Sequence, residues 1–158
     1  MKLKNNLTNW EITEICRKNN ISLKYCSYKD KLTKLTNGNY IINLDNYPNK
    51  GTHWVALNVR NKNHCYFDSY GTPPPNKLTK LIKNKYKYVV YNGNQIQDNE
   101  SLKCGYFCIV FLHFVSNLKD NANYNNEINN FLLNFWLGDE KQNDKQIINY
   151  FKAFNIII

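Results

Sequence analysis

From Cys104 to about Asn117 the chain reads CGYFCIVFLHFVSN, apolar on almost every side and interrupted only by His113 near its end. A helix without a polar face has to be enclosed by the rest of the molecule. Its apolar run, Tyr106 to Val115, is about half the length that crosses a bilayer, so a buried core helix is expected and a membrane span is not. At 158 residues the chain has one domain's length, enough to bury roughly two thirds of the surface its unfolded form exposes. With 42% hydrophobic and 15% aromatic residues it is not a disordered basic tail. The opening Met1-Lys2-Leu3-Lys4-Asn5-Asn6 lacks the apolar stretch of a secretory signal, so a protein that is not secreted is expected.

Around the buried helix, shorter elements are legible. Thr8 with Glu11 forms a capping box and Leu7 can staple onto Ile12, which places a helix from about Thr8 to Arg17. Extended segments are expected at Ile21 to Tyr25 and Tyr40 to Leu44, separated by the Asn37-Gly38 turn signal, then at His53 to Arg60 and His64 to Tyr70. Pro73-Pro74-Pro75 ends that pattern, because proline cannot donate to a ladder. A basic helix from about Asn76 to Asn84, a strand from Tyr86 to Tyr91 and a polar loop from Asn92 to Lys103 lead into the buried helix. Amphipathic helices around Asn126 to Trp136 and Asn143 to Phe151 finish the domain. The class is α+β, a small mixed or antiparallel sheet packed against helices.

The net charge is +9, from 21 Lys+Arg against 12 Asp+Glu. Only Arg17 and Arg60 are arginine, and 29 residues are asparagine. Lys, Asn, Ile and Tyr are what A+T-rich codons favour, so codon bias and a polyanion-binding surface both account for the charge. Five cysteines without a secretory context argue against a disulfide framework. No C-x-x-C pair is present; His64 and Cys65 with Cys104 and Cys108 make only a forced zinc set.

The chemistry gathers at three positions. If Arg60 faces Asn63 across a two-residue turn, His53 faces Tyr70 and Val55 faces Asp68, which makes His53 and Asp68 diagonal neighbours on one face. Diagonal pairs have backbones about 7–8 Å apart, close enough for an imidazole to reach a carboxylate. A slip of one residue would separate them, and Asn61-Lys62 is a poorer tight turn than Asn-Gly. Cys104 sits where the polar loop meets the buried helix, with Gly105 leaving the backbone uncrowded. A thiol at a helix N-terminus beside an imidazolium is favoured as the nucleophilic thiolate. The open N–H groups of that terminus face a developing oxyanion, and Gln97 supplies a side-chain donor. Nucleophile, base and orienting acid therefore converge. Plainer readings stand beside this one: Cys104 as a small core residue, Asp68 as a turn cap before Gly71, Cys108 as packing, His113 as a satisfied buried histidine. His64 is a second candidate base, at the far end of the hairpin roughly 20 Å from position 53 at ~3.3 Å per residue.

The order Gly51-Thr52-His53-Trp54, Tyr66-Phe67-Asp68-Ser69-Tyr70-Gly71, Gln97 and Cys104-Gly105-Tyr106-Phe107-Cys108 resembles the adenain-like cysteine proteases. These are adenovirus-type maturation endopeptidases of the papain-like superfamily, related to the proteases that process ubiquitin-like modifiers. The likeness runs over about the first three quarters of the chain. It implies that Cys104 attacks the scissile carbonyl, His53 shuttles the proton, Asp68 orients His53, and Gln97 with the Cys104 N–H forms the oxyanion hole. Gln95 is the runner-up for Gln97. Trp54 and Gly105 are implied beside the site.

The resemblance implies a viral maturation protease acting on capsid and core precursor proteins, in the virion and at sites of particle assembly in the infected cell. A deconjugating protease for a ubiquitin-like modifier is the alternative, and a non-catalytic nucleic-acid-binding protein the remoter one. The chemistry asks for no cofactor or metal; DNA or a peptide is compatible as an activator. Three departures from the adenovirus enzyme stand out. His53 and Asp68 are closer in sequence by two residues, and the acid is Asp rather than Glu. The cysteine that binds an activating peptide in that enzyme would fall near Tyr86, so disulfide activation is not expected.

Overall fold

A computed structural model describes residues 3–119 and 122–158. Helix α1 (Asn9–Lys18) begins at the expected capping box: Thr8 accepts from the Glu11 N–H while Glu11 reaches back to the Thr8 N–H. Four strands follow, β1 (Leu23–Tyr28), β2 (Gly38–Asn43), β3 (Trp54–Val59) and β4 (His64–Phe67), in the spatial order β1-β2-β3-β4. The remaining helices are α2 (Asn76–Lys83), α3 (Cys104–Ser116), α4 (Tyr124–Leu132) and α5 (Asn143–Ala153).

Both faces of the sheet are covered, which is why β2, β3 and β4 are buried at nearly every position rather than at alternate ones. Ile41, Ala56, Cys65 and Phe67 face α1, α3, α4 and α5. Tyr40, Ile42, Val55, Leu57 and Tyr66 face the other way, against Leu32, Leu35 and the α2 residues Leu78 and Ile82. Ten of the thirteen residues of α3 are buried, as its composition requires. Phe67 from the sheet stacks on Phe111 of α3 with ring centroids 4.5 Å apart, and Phe131 of α4 closes edge-on at 5.8 Å from Phe111. A small polar network lies within the same layer: Asn58 donates to Asn39 at 2.7 Å and accepts from the Tyr124 hydroxyl at 2.9 Å.

The β3–β4 hairpin has the expected register, with Val59 opposite His64 and Ala56 opposite Phe67, and the Arg60 N–H donates to the Asn63 carbonyl at 2.8 Å. The strand expected over Ile21 to Tyr25 runs from Leu23 to Tyr28 and pairs parallel with β2, so residues 29–37 form a crossover between them. Leu32 and Leu35 within that crossover anchor it to the core. One expected element fails: residues 86–91 form no strand. They run along β4, where the Tyr66 N–H donates to the Val90 carbonyl at 2.9 Å, but the Val90 N–H is taken at 3.0 Å by the ring Nε2 of His64. A side chain has replaced the carbonyl that would extend the ladder, so only a Tyr66–Tyr91 bridge remains. Helix α4 starts two residues before and ends four residues before its expected limits, while α5 starts at the expected Asn143 and runs two residues further, to Ala153.

Phe111 touches both Phe67 and Phe131 at the centre of the core. Phe111→Ala is expected to lower the unfolding free energy by about 3–5 kcal/mol, read as a drop in the urea midpoint at unchanged m-value.

Candidate active site

Two loops carry the acid side of the site. Asp68 lies just beyond β4 and is 1% exposed. Its backbone is clasped by one buried amide: Asn92 accepts from the Asp68 N–H at 2.8 Å and donates to the Asp68 carbonyl at 2.7 Å. The same loop is bound a residue further on, where the Ser69 carbonyl accepts from the N–H groups of Ile96 at 2.8 Å and Gln97 at 3.0 Å. Gly71 makes this approach feasible. Its φ is +70°, and a Cβ there would stand 2.5 Å from the backbone carbon of Asn94, so a side chain would push the two loops apart.

His53 directly precedes β3, and its carbonyl accepts from the Leu44 N–H at 3.0 Å, which ties it to the end of β2. Its Nε2 is 2.7 Å from Asp68 Oδ1. That carboxylate also accepts from the Tyr70 N–H at 2.9 Å on Oδ1 and from the Thr72 hydroxyl on Oδ2. Cys104 opens α3, close enough to the His53 ring to help raise its pKa. Because Nε2 is held by Asp68, the ring nitrogen left for the sulfur is Nδ1. The Trp54 N–H approaches the same sulfur at 3.5 Å. No side chain caps α3, so among the described residues the Cys104 and Gly105 N–H groups stay open at the positive end of the helix.

The charges reinforce one another. Burial by itself would lower the His53 pKa, but the hydrogen bond and charge of Asp68, together with Cys104, push it up to about 9. Burial would likewise raise the Asp68 pKa, yet the hydrogen bond and charge of His53, the Thr72 hydroxyl and the Tyr70 N–H hold its carboxyl below the ordinary range. At neutral pH the pair is therefore an imidazolium and a carboxylate.

His53, Asp68 and Cys104 thus meet, and Gln97 stands behind them. Gln97 is 1% exposed; its Oε1 accepts from the Ser69 hydroxyl at 2.6 Å, and its Nε2 donates to the Ser101 carbonyl at 2.6 Å and the Tyr70 hydroxyl at 3.3 Å. The alternative, Gln95, is turned into its own loop, donating to the Gln97 carbonyl and to Asn99. Trp54 is half-buried beside the sulfur, its indole N–H donating to the Leu7 carbonyl at 2.8 Å. Gly105 follows Cys104 at the helix start and also has a packing role. A Cβ there would sit 3.3 Å from Leu7 and 3.4 Å from Ile12, so its bareness serves the approach of α1 to α3.

The other candidates have structural places. His64 is buried, stacked on Tyr86 at 4.1 Å, and its Nε2 accepts from Val90, which requires the neutral ring that burial also favours. His113 Nδ1 meets the Tyr150 hydroxyl at 3.1 Å. Cys108 is buried with its thiol 3.3 Å from the Trp54 carbonyl. All five cysteines are free. The set His64, Cys65, Cys104 and Cys108 does not assemble, and among the described residues no three His, Cys, Asp or Glu side chains are placed to hold a metal. The sequence reading missed Asn92, Thr72 and Tyr70. The sequence signal for the last two was their place in the short loop that follows the acid; nothing pointed to Asn92.

Because the folded His53 pKa lies above its unfolded value of 6.5, the pair contributes its full stabilisation below pH 6.5 and loses it as pH rises toward 9. Asp68→Asn removes the group that raises the histidine pKa. Melting temperature measured from pH 6 to pH 9.5 is expected to fall more steeply for the wild type than for this variant.

No protein-family model matches the sequence, and no curated protein matches it. Solved structures do resemble it. The crystal structure of the selenomethionine ASFV pS273R protease aligns with a TM-score of 0.53 at 16% identity, covering 98% of this chain and 69% of that one. The SUMO protease Ulp1, with its catalytic cysteine oxidised to a sulfinic acid, aligns with a TM-score of 0.44 at 15% identity over 78% of this chain and 72% of that one. At such identities what is shared is architecture: this chain has the α+β fold of the ASFV pS273R protease, with Cys104 at the start of its central helix.

Proposed function

We propose that the protein is a cysteine endopeptidase. The observation that carries the reading is a buried carboxylate 2.7 Å from His53 Nε2, with Cys104 at an uncapped helix N-terminus on the same side of the site, its sulfur 3.5 Å from the N–H of Trp54, the residue after His53. Cys104 is the nucleophile and attacks as thiolate, its proton carried by His53. The sulfur adds to the peptide carbonyl, the carbonyl electron pair moves to oxygen, and the Cys104 N–H donates to that oxyanion together with a side-chain donor on the Gln97 side of the site. Collapse expels the amine, which takes the proton from His53. Neutral His53 then accepts a proton from water as the water attacks the thioester, and returns it to sulfur as the acid product leaves. Asp68 keeps the ring oriented and its positive form stable throughout.

The substrates on this reading are capsid and core precursors of a virus, cleaved in the assembling particle. The likeness to a viral protease and the order of the site residues support it. The charge of +9 fits a particle filled with nucleic acid, and duplex DNA is the activator it suggests; the chemistry itself calls for no cofactor.

Purified wild type is expected to cleave co-expressed capsid precursor at sites mapped by mass, while Cys104→Ala leaves the precursor whole. Equal processing by the two would discard the mechanism. Asp68→Asn should keep the fold, lower kcat by about tenfold or more and move the alkaline limb of the kcat/KM profile to lower pH, since the carboxylate no longer supports the imidazolium. Faster release of a fluorophore from a modifier's C-terminal Gly-Gly than from capsid peptides would transfer the substrate class to ubiquitin-like modifiers. If duplex DNA activates, the acceleration should disappear between about 50 and 200 mM salt.

A further inference from the structure

The hydrogens of the Gln97 amide can be counted. The Ser101 carbonyl only accepts, so the atom 2.6 Å from it is Nε2, and the Ser69 hydroxyl donates to the opposite Oε1. A primary amide has two N–H bonds. One points at Ser101 and the other at the Tyr70 hydroxyl, 3.3 Å away. With Gln97 1% exposed, no hydrogen is left for a substrate oxygen. The side-chain donor that the resemblance assigns to Gln97 is already engaged.

Tyr70 takes up what the amide gives. Its ring stacks on His53 with centroids 4.7 Å apart and planes 29° apart, and its N–H is bonded to the same Asp68 oxygen that holds the imidazole. The phenol is thereby fixed relative to base and acid together. Its oxygen accepts from Gln97, while its own O–H has no acceptor among the described residues. Tyr70 is half-buried, whereas Gln97 is closed off from solvent.

Resting on the protease reading, and deepening it, we infer that the Tyr70 hydroxyl is the side-chain donor of the oxyanion hole and that Gln97 acts through it as a positioning residue. As the thiolate forms its bond to carbon and the carbonyl pair moves to oxygen, the Tyr70 O–H donates a hydrogen bond without giving up its proton, opposite the Cys104 N–H. Donation from the amide into the phenol oxygen polarises the O–H and strengthens the bond it offers. Burial, with the charges of Cys104, Asp68 and Asp98, keeps the phenol protonated above its ordinary range, so the hydrogen is present throughout the working pH.

Tyr70→Phe removes the hydroxyl and keeps the ring over His53. Two measurements on the wild type and this variant test the inference: kcat and KM on a fluorogenic peptide, and the rate at which iodoacetamide alkylates Cys104, a reaction that needs the thiolate but forms no oxyanion. The expected result is a fall in kcat of about 100-fold or more, with KM and alkylation unchanged. An unchanged kcat, or a rise in kcat/KM as an obstructing hydroxyl is removed, overturns the inference. So does a parallel loss of alkylation, which would make Tyr70 a support of His53 alone. Absence of peptide hydrolysis in the wild type would instead overturn the protease reading, a failure distinct from wild-type hydrolysis matched by Tyr70→Phe.

Discussion

Helix α3 has no face that water can wet, and the fold is arranged to enclose it. The sheet covers it through Phe67 and Ala56, α1 and the residue ahead of its cap through Ile12 and Leu7, and the C-terminal helices through Phe131 and Phe151. Cys104 is the first residue of this helix, so its sulfur is placed by the packing of the core and not by a mobile loop. Gly105 allows α1 to approach without displacing the helix start, and Trp54 fixes the same junction by joining the Leu7 carbonyl to the strand that carries His53. On the proposed protease reading, a nucleophile mounted this way needs little reorganisation at the moment of attack.

Asp68 sits at the opposite energetic extreme, a carboxylate withdrawn from water. Burying an ion costs several kcal/mol unless its lone pairs are satisfied, and here His53, Tyr70 and Thr72 all donate to it. The same bonds decide the charge of the histidine. A carboxylate held ionised by three donors is a stable counter-ion, and the imidazolium beside it survives burial that would otherwise neutralise it. Asn92 does for the Asp68 backbone what a neighbouring strand would do, so the acid stays in register although β4 ends one residue earlier.

How much of this was legible in the sequence follows from which interactions are local. The capping box at Thr8, the buried helix and the hairpin register each depend on residues near one another in the chain, and all three are present. The diagonal placement of His53 and Asp68 followed from that register alone. The parallel pairing of β1 with β2 and the missing strand at 86–91 depend on contacts distant in sequence, where Leu32, Leu35 and the His64 ring decide the outcome. Asn92 was not legible for the same reason. In a chain with 29 asparagines, nothing local distinguishes the one that clasps the acid.

The hairpin's turn is the point at which the site depends on something remote. Asn61-Lys62 lacks the glycine that makes a tight turn self-sufficient, and a slip of one residue would send His53 and Asp68 to opposite faces. Tyr86 supplies what the turn lacks. Its hydroxyl stands against the carbonyls of both Arg60 and Asn63, the residues flanking the turn, while its ring stacks on His64 at the start of β4. The tyrosine thereby ties down the register of the hairpin that places His53 and Asp68. Arg60 is held from the other side by the Val115 carbonyl at the far end of α3. The turn is thus joined to the helix whose first residue is Cys104, and histidine, acid and thiol are referred to one rigid frame.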